Sequence, residues 1–480
     1  MKLRLPLCLA TLCLATFGLI AVLPLRDART FPLNGNDTAL PAGTEFNEEA
    51  LDRPRELFHS EAFGGRKSYL VNLGDLLFHS PSVFGGKARQ AAMSCGTCHV
   101  NGAGNAKLFV PGLSTRPGNF DTTSLLFNPK TYDAQINPVR IPSLRGARYL
   151  APYGNDGRIG SLREFVRNVI VNEFAGSEPT PAALDALVAY INDIDFLPNP
   201  RIGAGGRLGA PQANASERRG ETLFFKPFRN QANLSCAGCH VPTGAFVDHA
   251  QHDVGTGGLF KTPTLLNANF NAPYFHDGRY DSYDDVVAHF DRFFGLGYSD
   301  QDKKDLVAYL NAVGDATRPY ERDNVAIRMK EVTDFSSILV IAIPAHDTTV
   351  ISMVTDTVGA ELRELAERVP DHKNPAVDGG LNERRDARNA VKELVLNIRR
   401  IGLAAAAGDF DTAAAEYQNF STQANVDVPS LLRRAQAWTL FDEGVSGAHY
   451  KAMRQMLQSS NSPASSGQPS DGQSSSGPAR

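Results

Sequence analysis

Cys95-Gly96-Thr97-Cys98-His99 and Cys236-Ala237-Gly238-Cys239-His240 are the stretches that decide what this chain folds around. Two thiols separated by two residues can reach the two vinyl groups of one haem and close thioethers, and the histidine that follows then faces the iron. The chain has six cysteines, and the other two, Cys8 and Cys13, lie in an apolar N-terminal run. The histidine after each motif argues against a thioredoxin-like dithiol. A zinc site would need two distant Cys2His sets to converge on metal. The spacing therefore predicts two covalently bound haem c groups, held by Cys95, Cys98, Cys236 and Cys239, with His99 and His240 as iron ligands.

Working outward from the motifs, the chain repeats itself. Residues 141–166 (IPSLRGARYLAPYGNDGRIGSLREFV) align without a gap with residues 262–287 (TPTLLNANFNAPYFHDGRYDSYDDVV), sharing 11 of 26 positions at an offset of 121. Upstream of each motif, Gly74-x-x-Leu77-Phe78 matches Gly220-x-x-Leu223-Phe224. Downstream, Leu187-Val-Ala-Tyr190 matches Leu306-Val-Ala-Tyr309. Leu184, Leu187, Val188 and Ile191 follow helical spacing. Thr180-Pro181 reads as an N-cap followed by a first-turn proline, and Ser299 with Asp302 as a capping box. Each unit is thus expected to run helix, haem motif, loop with a turn, helix.

The fold expected is mainly α: two tandem cytochrome c-like haem domains at 29–205 and 206–325, then a helical domain at 330–458. Pro198 to Gly206 is the expected linker. Helices are expected near 356–368, 384–406, 410–424 and 445–457, and Ser336 to Ala345 as a buried strand or helix. The third region has no cysteine and no motif, which suggests docking or assembly. A chain ending near Asp323 is expected to keep its haem spectrum and peroxide reactivity. Residues 459–480, rich in Ser, Gly, Pro and Gln, are expected to be disordered. At the N-terminus, Lys2 and Arg4 precede an apolar stretch to Leu25, so residues 1–28 read as a signal peptide or an N-terminal anchor. Either places the rest outside the cytoplasm, and the expected location is the periplasm. The net charge of −4 gives no reason to expect nucleic acid as a partner.

Two Cys-x-x-Cys-His motifs in this order, with TPTLLNANFNAPYFHDGR after the second, resemble the bacterial di-haem cytochrome c peroxidases and their MauG-like relatives. The similarity covers roughly residues 70–315. It implies a periplasmic peroxidase that reduces hydrogen peroxide with electrons from a small cytochrome c or copper protein. A MauG-like oxidase acting on a partner protein and a plain di-haem electron-transfer cytochrome are the alternatives. It also allows a calcium ion between the haem domains and a homodimer.

In the family the N-terminal haem is the reactive one, and some members cap it with a histidine downstream of the motif. Between His99 and the second motif this chain has no His or Met; His59 and His79, upstream, are the remaining candidates for a cap. The resemblance implies Glu173 as the acid–base residue, with Glu164 in reserve. Where the family has a Trp in its first turn, this chain has Asn155. The only Trp is Trp438, so Tyr149 or Tyr153 would have to relay electrons between the haems. Where the family ligates the second iron with Met or Tyr, this chain has Phe290, with His289 adjacent as the candidate ligand. His276 is expected to hydrogen-bond in the haem pocket. Arg158 and Arg279 are expected either to pair with haem propionates or to hold their turns.

Overall fold

The computed structural model describes residues 40–46, 54–62, 65–209, 213–317, 322–371, 379–442, 444–446 and 448. The signal-peptide reading, the C-terminal tail and most of the helix expected near 445–457 lie outside them. The described chain is mainly helical, with only three short antiparallel strand pairs. No described helix is long and apolar enough to cross a membrane.

The first unit runs through α1 (Tyr69–His79), the one-turn motif helix α2 (Cys95–Cys98), α3 (Leu162–Asn168) with a π-helical turn over Val169–Glu173, and α4 (Pro181–Asp193). The second repeats this order with α5 (Ala215–Phe225), α6 (Cys236–Cys239), α7 (Tyr283–Phe294) and α8 (Asp300–Gly314). The expected caps form. Thr180 accepts from the Ala183 N–H, Pro181 opens α4, and Ser299 and Asp302 close a capping box. Ser94 and Ser235 cap the two motif helices, which fixes the exit direction of each Cys-x-x-Cys turn.

The paired sequence motifs are helix crossings. In α1, a Cβ on Gly74 would overlap the Ala186 carbonyl of α4; in α5, one on Gly220 would overlap the Asp305 carbonyl of α8. Only glycine permits that approach. The contact seats Phe78 on Tyr190 and Phe224 on Tyr309, with ring centroids 4.9 Å apart in both units.

The third region is a helical bundle of α9 (Val325–Ser337), α10 (Thr348–Glu367), α11 (Leu381–Ala406), α12 (Phe410–Thr422) and α13 (Val428–Ala435). Residues 336–345 hold the end of α9, one helical turn over Leu339–Ala342 and a closing turn, with no strand. The bundle is not a separate body: Leu76 of α1 belongs to its apolar core. The Asn72 amide donates to the Asp334 carbonyl at 2.5 Å. Helix α9 eluded the periodicity because it is buried on more than one side, through Val325, Ile327, Met329, Val332 and Phe335.

Candidate active site

Each Cys-x-x-Cys-His motif opens onto an apolar cavity. The first, about 270 Å³, is lined by Cys95, Cys98 and His99; the second, about 230 Å³, by Cys236, Cys239 and His240. Burial pushes the Cys95 and Cys236 thiols up to about 12. It lowers both imidazoles, His99 to about 4, and so favours the neutral form that binds iron. The His240 Nδ1–H donates to the Phe246 carbonyl at 3.2 Å, with the Pro263 carbonyl also beside the ring. The Pro142 carbonyl stands beside His99 in the same way, although His99 Nδ1 closes no hydrogen bond of good geometry. The Phe246 carbonyl thus orients the His240 imidazole and leaves its Nε2 for iron.

The walls opposite in sequence also repeat. Phe165, Val166, Val169 and Glu173 line the first cavity; Val286, Val287, Phe290 and Phe294, each 121 residues later, line the second. The one chemical change among these pairs is Glu173 to Phe294. Glu173 is 6% exposed. Its Oε1 accepts from Arg158 Nη2 at 3.3 Å and Asn168 Nδ2 at 3.2 Å, and Thr122 adds a further hydrogen bond. Burial raises its carboxyl above the ordinary range, while Arg158, Thr122 and Asn168 oppose the shift. Glu173 ends the π-helical turn, a distortion often found at functional sites.

Other expected residues stand elsewhere. Glu164 lies exposed in the first turn of α3, where its N–H meets the Ser161 cap, and takes no part in the cavity wall. His289, the candidate second-haem ligand, turns both ring nitrogens to other partners. Its Nδ1 meets the Tyr280 hydroxyl at 3.0 Å and its Nε2 the Val254 carbonyl at 2.7 Å. The helix presents Phe290 to the cavity instead.

Arg279 bonds Asp277 and the Thr256 carbonyl, holding its turn rather than lining the cavity. Arg158 lines the first cavity but is shared between Asp156 and Glu173. His276 lines the second cavity, stacked on Phe260 at 3.5 Å between centroids. Tyr153 lines the first cavity; Tyr149 is half exposed against Phe196. Trp438 packs on Gly379 and Gly380, in the helical bundle.

His59 is at the surface beside Asp195. His79 sits behind the first motif helix, against Gly96 and hydrogen-bonded to the Asp75 carbonyl. Neither lines the first cavity.

Two residues that the sequence reading passed over, Arg140 and Lys261, line both cavities. Arg140 Nη1 donates to the Asn271 carbonyl at 3.1 Å, and its buried Nε has no partner. Lys261 Nζ donates to the Leu150 and Pro152 carbonyls at 2.7 and 2.6 Å. Each stands one residue before the aligned repeat, so extending the alignment by a single position pairs them.

These residues fit a c-type haem in each cavity: two thiols and a neutral imidazole on one wall, apolar flanks, and buried cations to meet propionates. At the junction between the units, the Lys261 ammonium takes the Leu150 and Pro152 carbonyls. The groups of three metal-binding side chains among the described residues are Cys239–Asp248–His252 and Asp75–His79–Glu331. The first is built around a haem-motif thiol, and the second lies behind the first motif helix.

Residues 215–322 match the family model described as di-haem cytochrome c peroxidase. The hydrazine synthase subunit gamma of Kuenenia stuttgartiensis is 25% identical over 310 residues, 52% of this chain and 78% of that one. The methylamine utilization protein MauG of Methylorubrum extorquens is 24% identical over 306 residues, 51% and 77% of the two chains. The cytochrome c551 peroxidase of Pseudomonas aeruginosa is 41% identical over 76 residues, 15% and 22% of the two chains. A solved structure of Kuenenia stuttgartiensis hydrazine synthase covers 55% of this chain and 90% of its own at 21% identity, with a TM-score of 0.38. The chain is thus similar to the di-haem cytochrome c peroxidases over residues 215–322, and to MauG and the hydrazine synthase subunit over about half of its length.

Proposed function

We propose that this chain is a periplasmic di-haem peroxidase, built from two tandem cytochrome c-like domains. It reduces hydrogen peroxide in the first cavity with electrons that a small redox protein delivers through the second. The observation that carries the reading is the buried Glu173 on the wall of the first cavity. Haem, when bound, supplies the redox centre; the chain supplies the proton path. A Glu173 oxygen takes the proton from the near oxygen of peroxide and returns it to the far one, which leaves as water. Burial raises the carboxyl towards the pH at which it can do both. Arg158 and Asn168 hold the side chain in place, and the phenylalanines around it exclude water.

Rapid mixing with peroxide tests this. Positioned acid–base groups contribute about 10²–10⁴ in rate, so Glu173→Gln is expected to slow the peroxide-dependent spectral change by that range. Glu164→Gln is expected to leave it alone. An unchanged rate in Glu173→Gln removes Glu173 from the mechanism.

The longer similarity to MauG favours a second reading in which the oxidising equivalents pass to a partner protein. Steady-state peroxide consumption with a reduced small cytochrome supports the first reading. Consumption only in the presence of a protein substrate supports the second.

A further inference from the structure

The second cavity is short of groups that can bind iron. Residues 206–325 contain no methionine and five histidines. His240 belongs to the motif. His249 Nδ1 meets the Ala151 carbonyl of the first unit at 2.6 Å. His252 Nε2 is held by Asp248 at 2.6 Å, in the cluster with the Cys239 thiol, which attaches at the porphyrin rim rather than on its axis. Both nitrogens of His289 are engaged. His276 lies flat on Phe260 and matches Asn155 of the repeat, which lines both cavities at the junction between them. The wall tyrosines are tied down: Tyr274 donates to the Ala268 carbonyl at 3.3 Å and Tyr283 to Asn269 at 2.9 Å. Lys261 is bound to two carbonyls. Beyond Tyr283, helix α7 offers the cavity Val286, Val287, Phe290 and Phe294.

We infer that no described side chain of this protein completes the coordination of the second haem, and that the second cavity is an apolar binding site for a small neutral diatomic molecule such as carbon monoxide or nitric oxide. The inference rests on the reading of residues 206–325 as a haem unit. Pocket polarity and donors decide what an open haem does with a ligand. With Phe294 in the place of Glu173, the second site binds without the proton transfer that peroxide cleavage needs.

The test uses the full-length protein with both haems, in the ferrous state, with carbon monoxide as probe. Two molecules per chain are expected, giving two iron–CO vibrations in resonance Raman spectra. One is expected to shift on Glu173→Gln. The other is expected to ignore that change and to be lost on Phe290→Met, which places a thioether on the cavity wall. A single CO population responding only to Glu173→Gln, beside one low-spin ferrous iron, would overturn the inference. Release of that iron to CO by His276→Ala would then name its ligand. If Phe290→Met fails to load haem, the wild-type stoichiometry decides alone. Total haem is counted separately in each sample: one per chain would sink the two-haem reading itself, whereas two haems with one closed would sink only this inference.

Discussion

Arg140 and Lys261 stand 121 residues apart at matching positions of the repeat, and each reaches into the other's unit. The Arg140 N–H donates to the His276 carbonyl at 2.6 Å, and the Lys261 N–H to the Asn155 carbonyl at 2.9 Å. His276 and Asn155 are themselves 121 apart. The side chains repeat the exchange, Arg140 to Asn271 and Lys261 to Leu150, again a matched pair. The junction therefore has the reciprocity of a two-fold interface within one chain. Burial costs both cations, lowering Arg140 to about 10 and Lys261 to about 8. They stay charged at neutral pH, on the wall that the two cavities share.

Lys261→Met keeps the length of the side chain and removes its donor. The Leu150 and Pro152 carbonyls lose a partner, and an unsatisfied buried polar group costs about 1–3 kcal/mol. The thermal midpoint of the protein is expected to fall while haem content stays at two per chain. An unchanged midpoint would mean that other groups or water meet those carbonyls.

Gly74→Ala and Gly220→Ala test the helix crossings. Each new Cβ meets a backbone carbonyl of the partner helix rather than a flexible side chain, so the helices must part. Overpacking of this kind costs about 1–3 kcal/mol, occasionally more. Gly74→Ala is expected to loosen the first unit and Gly220→Ala the second, as seen by hydrogen exchange at the matching helices.

These crossings also show what was legible in sequence. Gly-x-x-Leu-Phe, Leu-Val-Ala-Tyr and the Pro-Tyr turn are local words whose partners are copied by the duplication, so comparing the two halves exposed them. Glu173 was placed by its distance from the turn, not by any pattern of its own. For His289 and Phe290, helix periodicity gives a spacing and not a rotation; Tyr280 and the Val254 carbonyl hold His289, and Phe290 lines the cavity. Docking of the helical bundle was hidden because His79 faces carboxylates more than 250 residues away, Glu331 and Glu361.

That junction is expected to depend on pH. Burial alone would lower His79, but the hydrogen bond and charge of Asp75, with Glu331 and Glu361, carry it up to about 10. Burial, aided by Glu331 and Glu364, raises Glu361 to about 8, against the pull of Arg328. A histidine raised in the folded state stabilises fully below its unfolded value of about 6.5 and ceases to do so as pH passes its folded value. The raised carboxyl acts in the same direction between its ordinary range and about 8. Docking of the bundle on α1 is expected to weaken between about pH 6.5 and 10. His79→Gln is expected to flatten that dependence in thermal melts. A chain ending near Asp323, with Leu76 uncovered, is expected to lose stability in the first unit and keep it in the second.

The last prediction separates a proton carrier from a structural carboxylate. Arg158 lies 3.3 Å from Glu173 and opposes the rise that burial imposes on its carboxyl. Arg158→Met removes that opposition, so the Glu173 carboxyl rises further. If Glu173 must start ionised to take the peroxide proton, the rate falls as pH drops through its pKa. The acid limb of the pH–rate profile for the peroxide reaction is therefore expected to move to higher pH in Arg158→Met. The plateau above it changes less, and both haems remain attached. In Glu173→Gln the limb itself is expected to vanish along with most of the rate. A structural role for Glu173 would lower the rate in both variants and leave the limb where it stands in the wild type.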